Sequence, residues 1–131
     1  MCIFCKIIAG EIPSYKIYED DNAFAFLDIK PVNPGHVLVI PKKHYQNMEE
    51  IPDSDLQALI LVVKKIGAAL KNKLGVIGYN IHENNDLIAG QAVPHLHFHI
   101  IPRIETDCLS HWPGSPYLPG QAEDIIKKLS F

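Results

Sequence analysis

Cysteine is scarce in this chain, three in 131 residues, which is too few for a disulfide framework. Cys2 and Cys5 stand too close in sequence to be an obvious staple, and in a reducing compartment that spacing points to metal or redox chemistry. There is no basic excess: 12 Lys and Arg against 15 Asp and Glu leave a net charge of -3, without the basic stripe that nucleic-acid binding needs. No apolar run approaches the length of a membrane span, and the N-terminus lacks a charged region followed by an apolar secretory core. Internal repeats and low-complexity segments are absent too. A cytoplasmic protein is expected, with neither nucleic acid nor membrane as a partner. The length suits a single domain over residues 1–131 with a real core.

Histidine is what the chain does have. Between Gly90 and Arg103, His95, His97 and His99 alternate with Leu96, Phe98 and Ile100. Period two is the strand period, so one face carries three imidazoles and the other three apolar side chains. Adjacent titratable rings repel when protonated and lose hydration when packed together. Such a row gains nothing for stability, and an active site is the reading it supports.

The remaining elements follow in chain order. Residues 3–9 read as a short helix ended by Gly10, with Phe4, Ile7 and Ile8 on one face. Residues 15–18 and 23–27 read as strands joined by a Glu-Asp-Asp-Asn turn. Residues 31–35 form a loop punctuated by Pro31, Pro34 and Gly35, and a buried strand over 36–40 stops at Pro41. Residues 53–73 are the main helix, with Asp53 or Ser54 as N-cap and Leu56, Leu59, Ile60, Val63, Ile66 and Leu70 as its core face. Gly75 ends it. A strand over 76–82, a polar loop over 83–89, the histidine strand and a C-terminal helix over 122–129 complete the chain. This order implies an α+β domain on an antiparallel meander.

Chemically, a neutral imidazole of His97 can attack phosphorus and form a phospho-histidine, splitting one displacement into two. Its other nitrogen must then hold a proton in a fixed hydrogen bond. His99 can serve as general acid or as a charge on the phosphate oxygens. The competing reading is a three-histidine metal centre, although alternate positions at about 3.3 Å rise per residue spread too far to converge easily on one ion. Cys2 and Cys5 fit half of a structural zinc site, with His36, His44, His82, His95 and His111 as candidates for the rest; buried thiols or a redox pair fit the spacing as well.

His-Leu-His-Phe-His-Ile-Ile resembles the motif of the histidine triad (HIT) superfamily of nucleotidyl hydrolases and transferases. The likeness extends to Ile3-Phe-Cys-Lys-Ile-Ile-Ala-Gly-Glu-Ile-Pro13, Asp28-Ile-Lys-Pro31, Gly35-His-Val-Leu-Val-Ile-Pro-Lys-Lys-His44 and Ala89-Gly-Gln91. It implies a HIT-like α+β protomer with a five-stranded antiparallel sheet, pairing as a homodimer into a ten-stranded sheet. It also implies attack on a nucleotide α-phosphate by His97, with His99 at phosphate and leaving group, His95 orienting His97, and His36 supporting the row. Asn84 and Gln91 match phosphate contacts, and Asp28 matches the acid on the ribose hydroxyls. Phe4, Ile7, Ile29 and Leu38 match the walls of a purine pocket, where adenosine is the expected base; each also reads simply as core. Zinc-containing members of the superfamily imply a structural zinc on Cys2, Cys5, His44 and His95, which would lock the His95 ring.

Two departures leave the substrate open between adenosine phosphoramidates and dinucleoside polyphosphates. Ala92 stands where many phosphoramidate hydrolases of the family have serine, and Ile101-Pro102-Arg103 replaces Gly-Gly-Arg. A polyphosphate needs cationic help, for which Arg103, Lys42 and Lys43 are the candidates, although solvated surface charge is the plainer role for the two lysines. The segment His111-Trp112-Pro113-Gly114 resembles a C-terminal element of the phosphoramidase branch, displaced in sequence. A nucleotide-binding or scaffold protein with residual activity is the alternative to a hydrolase. Cys108 is assigned no role.

Overall fold

Alternating side chains on three strands give the sheet two different faces. In β2 (Ala23–Leu27) Ala23 and Ala25 turn to one side and Phe24 and Phe26 to the other; in β3 (Val37–Pro41) Val37 and Val39 oppose Leu38 and Ile40 in the same way. The first face packs on the long helix α2 (Asp53–Leu74), and the second on the short helix α1 (Ile3–Ile8) through Phe4 and Ile7. In β5 (Phe98–Arg103), Phe98 and Ile100 join the α2 core, as does Leu96 just before the strand. His97 and His99 therefore fall on the α1 side, because successive strand residues point to opposite faces.

The computed structural model describes residues 2–131. With β1 (Lys16–Glu19) and β4 (Gly78–Glu83), the sheet has five strands in the order β1-β2-β3-β5-β4, and every pairing is antiparallel. The order corrects the expected meander: β4 takes the edge and β5 inserts beside β3. Covered on both faces, β5 suits the interior of the sheet, whereas β4 has only partly buried or exposed residues. Two further elements are a 3-10 turn (Leu87–Ala89) and helix α3 (Gln121–Lys128), of which no residue is buried.

Several boundaries differ from the sequence reading. The β-strand over the triad begins only at Phe98, so His95 and His97 sit in the approach to the strand while keeping its alternation. Pro52, extended and without a side-chain cap, starts α2, and Asp53 and Asp55 lie inside its first turn, where carboxylates suit the helix dipole. The buried face of α2 uses Val62 rather than Ile60, which is 41% exposed. The last strand before the triad starts at Gly78, not at residue 76.

Gly35 delivers the chain into β3 just before His36. Its φ is +92°, and a Cβ there would lie 3.2 Å from Pro102 Cγ. Left-handed backbone costs an L-residue roughly 1–2 kcal/mol, and the tight contact adds to it. Gly35→Ala is expected to lower unfolding stability by at least about 1 kcal/mol, read by urea denaturation; an unchanged midpoint would refute this account of the turn.

Candidate active site

Each triad histidine has one ring nitrogen committed to a partner, which fixes what the other can do. The His95 Nε2–H donates to the Pro41 carbonyl at 2.9 Å, leaving its Nδ1 lone pair aimed at Cys2 Sγ (3.5 Å) and Cys5 Sγ (3.7 Å). The His97 Nδ1–H donates to the His95 carbonyl at 2.7 Å, so Nε2 keeps a free lone pair. The backbone N–H of Val32 donates to His36 Nδ1 at 3.1 Å, which puts the proton of that neutral ring on Nε2. That Nε2–H donates to His99 Nδ1 at 2.9 Å, and His99 in turn carries its proton on Nε2. These tautomers follow from the network of partners. A nucleophilic nitrogen and a donor N–H stand side by side, with the His97 and His99 ring centroids 4.9 Å apart.

Burial keeps the rings neutral. It pushes His99 down to about 4, helped by His97 and His36, and lowers His97 and His36 as well. His95 is pushed down to about 4, again by burial first. A neutral ring is what a nucleophile requires.

His97 and His99 line a cleft of about 280 Å3 whose other walls are mostly apolar. Phe4, Ile7, Ile29, Leu38 and Asp28, all named from sequence, border it. Phe4 meets the His97 ring edge-on at 5.2 Å between centroids, while Ile29 is 78% exposed at the rim. Asp28 accepts the Lys30 N–H at 2.8 Å, and its other oxygen lies 3.7 Å from His36 Nε2. Ile12, Ser14, Phe26 and Val93 also line the cleft and were not identified from sequence. Phe26 could have been found from its alternation with the buried alanines of β2; Ser14 carried no signal.

Asn84 and Gln91 are not among the cleft walls. Asn84 follows β4 and lies against Gly90, where a Cβ would be 3.6 Å from its Nδ2. Gln91 is buried, accepts the Asp86 N–H at 2.9 Å and donates to the Gln46 carbonyl at 2.6 Å, tying the approach to the triad to the β3–α2 loop. Two of the three proposed cations are held in close ion pairs, and the third, Lys43, is mostly exposed. Arg103 donates to Asp107 at 2.7 Å and to Asn80 at 2.9 Å, Lys42 pairs with Glu19 at 2.8 Å, and Lys43 lies 3.7 Å from Asp55.

Beneath the triad, Cys2, Cys5, His44 and His95 place their ligand atoms all within 4.8 Å of one another. The separations of 3.5 and 3.7 Å from His95 Nδ1 to the two sulfurs, and of 3.4 Å from Cys5 Sγ to His44 Nδ1, match the roughly 3.5 Å nitrogen–sulfur edge of a tetrahedron with zinc-type bond lengths. Burial and the neighbouring Cys2 raise the Cys5 thiol, a crowding that a cation relieves. The residues present fit a metal ion. Among the described residues the three triad histidines do not form a common metal group, since His95 turns to the cysteines. Asp28, His36 and His99 do cluster, but the lone pairs of His36 Nδ1 and His99 Nδ1 already accept hydrogen bonds.

His99 titrates near 4 when folded and near 6.5 when unfolded. Between those values the unfolded chain binds the extra proton, so stability rises with pH there. The contribution is complete above about pH 6.5 and is lost as pH falls toward 4. Urea denaturation of wild type and His99→Gln across pH 7.5 to 4 is expected to show a shallower acid loss in the variant; identical slopes would contradict the burial of this ring.

A family model described as the HIT domain matches residues 9–106. The chain is 49% identical over 106 residues to the adenosine 5'-monophosphoramidase HNT1 of Candida albicans, covering 78% of this chain and 70% of that protein. A crystal structure of a HIT-family member from Bacillus subtilis superposes with a TM-score of 0.89 at 43% identity, over 98% of this chain and 94% of that one. A zinc-bound histidine triad family protein from Mycobacterium smegmatis gives 0.77 at 40% identity, over 83% and 79%. Among the described residues no helix is long and apolar enough to cross a membrane. With its triad motif, its five-stranded sheet and these relatives, the chain belongs to the HIT family.

Proposed function

We propose that this protein hydrolyses adenosine nucleotides at the α-phosphate through a nucleotidyl-His97 intermediate. The observation that carries this reading is the 2.7 Å bond from His97 Nδ1–H to the His95 carbonyl, which leaves Nε2 free beside the cleft. Nε2 forms a bond to phosphorus as the bond to the leaving group breaks. The Nε2–H of His99 is the donor to the departing atom. Water then attacks phosphorus, the P–N bond to His97 breaks with its electron pair returning to Nε2, and the proton lost by the water goes back to His99 Nε2, so both rings end neutral as the nucleotide is released.

Phe4, Ile7, Ile29 and Leu38 hold the purine in this reading, and Asp28 takes the ribose hydroxyls through its lone pairs. Asn84, which follows β4 and does not line the cleft, takes its phosphate role in this reading from the family motif alone. Gln91 could join it only by giving up one of its two backbone partners. None of Arg103, Lys42 and Lys43 lines the cleft, and the first two are held in close ion pairs, so they offer little to a polyphosphate chain. An adenosine phosphoramidate is the better-supported substrate. The named activity of the Candida albicans relative, a monophosphoramidase, supports the same choice.

Cys2, Cys5, His44 and His95 would hold a structural zinc. When bound, it supplies a closed cross-link among α1, the segment after β3 and the triad, with no open coordination position for substrate. A homodimer through β4 also fits. That strand is a sheet edge, and Ile77 and Ile81 are 71% and 44% exposed in the single chain; pairing two such edges would join two five-stranded sheets.

Two outcomes are expected. His97→Ala abolishes turnover of adenosine 5'-phosphoramidate while adenosine monophosphate still binds, read by product chromatography and calorimetry; residual turnover near wild type would reject His97 as nucleophile. Chelation of the metal lowers the thermal midpoint by about 5 °C or more, read by calorimetry beside metal analysis; an unchanged midpoint after complete metal loss would reject the structural role.

A further inference from the structure

A fourth imidazole stands beside the triad from a different strand. His82 in β4 is the direct antiparallel partner of His99. Directly paired residues project from the same face with Cβ atoms about 4.5–5.5 Å apart. Across the sheet the row runs Leu38 in β3, His99 in β5, His82 in β4. Leu38 borders the nucleoside cleft, so His82 lies on the opposite flank of His99.

His82 does not serve the internal network of the site. His36 is held by Val32 and His99, and His97 by the His95 carbonyl. The His82 ring is partly buried and borders Trp112, with centroids 6.5 Å apart. A charge on it would be felt at both His36 and His99, which places it within electrostatic reach of the reacting groups. Nothing in the strand pattern requires it: His82 pairs with His99 on the side away from the α2 core, where an apolar residue would also fit.

In the proposed reaction His99 meets the atom that departs, so the space beyond His99, away from the nucleoside, receives the rest of the leaving group. An imidazole there offers an N–H to an oxygen acceptor, and the Trp112 ring lies beside it. We propose that His82 is a specificity-determining residue that hydrogen-bonds an oxyanion on the leaving group, aiding turnover of adenylates that carry one and leaving cleavage of the phosphoramidate, which lacks it, unaffected. This rests on the α-phosphate hydrolase reading and deepens it. It adds a single donor, which suits one oxyanion such as sulfate or carboxylate rather than a polyphosphate chain.

The test compares two substrates in one assay: adenosine 5'-phosphoramidate, which releases ammonia, and the mixed anhydride of adenosine monophosphate with sulfate. His82→Leu should lower kcat/KM for the sulfate anhydride by about tenfold, the usual worth of one hydrogen bond, and leave the phosphoramidate within about twofold. His82→Gln, which restores an N–H donor, should recover part of the loss. Thermal midpoints and binding of adenosine monophosphate should stay at wild-type values for both variants. Equal loss on both substrates, or no change on either, would overturn the proposal while leaving the hydrolase reading intact. Failure of the wild-type protein to cleave either substrate would overturn the hydrolase reading itself, and this proposal with it.

Discussion

The hydrogen bond from His97 Nδ1–H to the His95 carbonyl is the constraint on which the site depends. It lies entirely within one three-residue stretch, yet it needs both ends held from outside. The His95 end is fixed by the Pro41 carbonyl on one ring nitrogen and by the cysteine cluster on the other. The His97 end is fixed by Phe4, whose ring packs edge-on against it from α1. If the His95 peptide turned, the His97 proton would lose its acceptor and the ring could adopt the other tautomer. The nucleophilic lone pair would then face away from the cleft. A metal held at His95 would thus be linked to the orientation of the His97 ring through a single residue, as ligand-orienting contacts around metal sites generally are.

A second chain of bonds works in the opposite direction, outward from the backbone to a donor. Val32 N–H sets the His36 tautomer, and His36 sets that of His99. The β3–β5 pairing makes this possible, because Val37 opposite Ile100 and Leu38 opposite His99 bring the start of β3 alongside the end of the triad. His36 and His97 are buried and His99 partly so, and burial is what keeps these rings neutral. Desolvation therefore has two effects that pull apart. It lowers stability in acid, where the unfolded chain takes up protons the folded chain refuses, and it keeps the His97 ring uncharged at neutral pH.

Much of this was legible in the sequence, and the reasons are physical. Period-two alternation located both faces of β5 and the histidines on one of them, because side-chain direction in an extended chain is a local property. Helical spacing located α2 and its C-terminal stop at Gly75, again from local geometry, but placed Ile60 in the core where the helix turns Val62 inward. The four metal-type ligands came from the family resemblance, and they do converge. Strand order and register were not legible. Nothing in the residues of β4 says that the strand takes the edge or that His82 faces His99, since such pairings are set by long-range packing. Gln91 shows the converse limit: the motif marked it as functional, while its burial and two backbone bonds show a structural task that the motif does not describe.

The distribution of charge is the remaining argument about chemistry. Arg103 looked available to a polyphosphate because it follows the triad strand directly. Its guanidinium instead braces the loop after β5, donating to both carboxylate oxygens of Asp107, to Asn80 and to the Leu109 carbonyl. Asn33 donates to the same carboxylate and to the Pro102 carbonyl, so the brace also ties the loop that leads into His36. Releasing Arg103 to a phosphate would strand the Asp107 carboxylate, which is 5% exposed, without its cation. The position is therefore committed to holding β4, β5 and the segment before β3 in register. In the proposed reaction Arg103 is thus not free to meet transition-state charge, and oriented neutral donors such as His99 Nε2–H would do so, in the manner of those that stabilise oxyanions elsewhere. Under the proposed reaction, a site built in this way would suit a compact substrate with few charges beyond the α-phosphate.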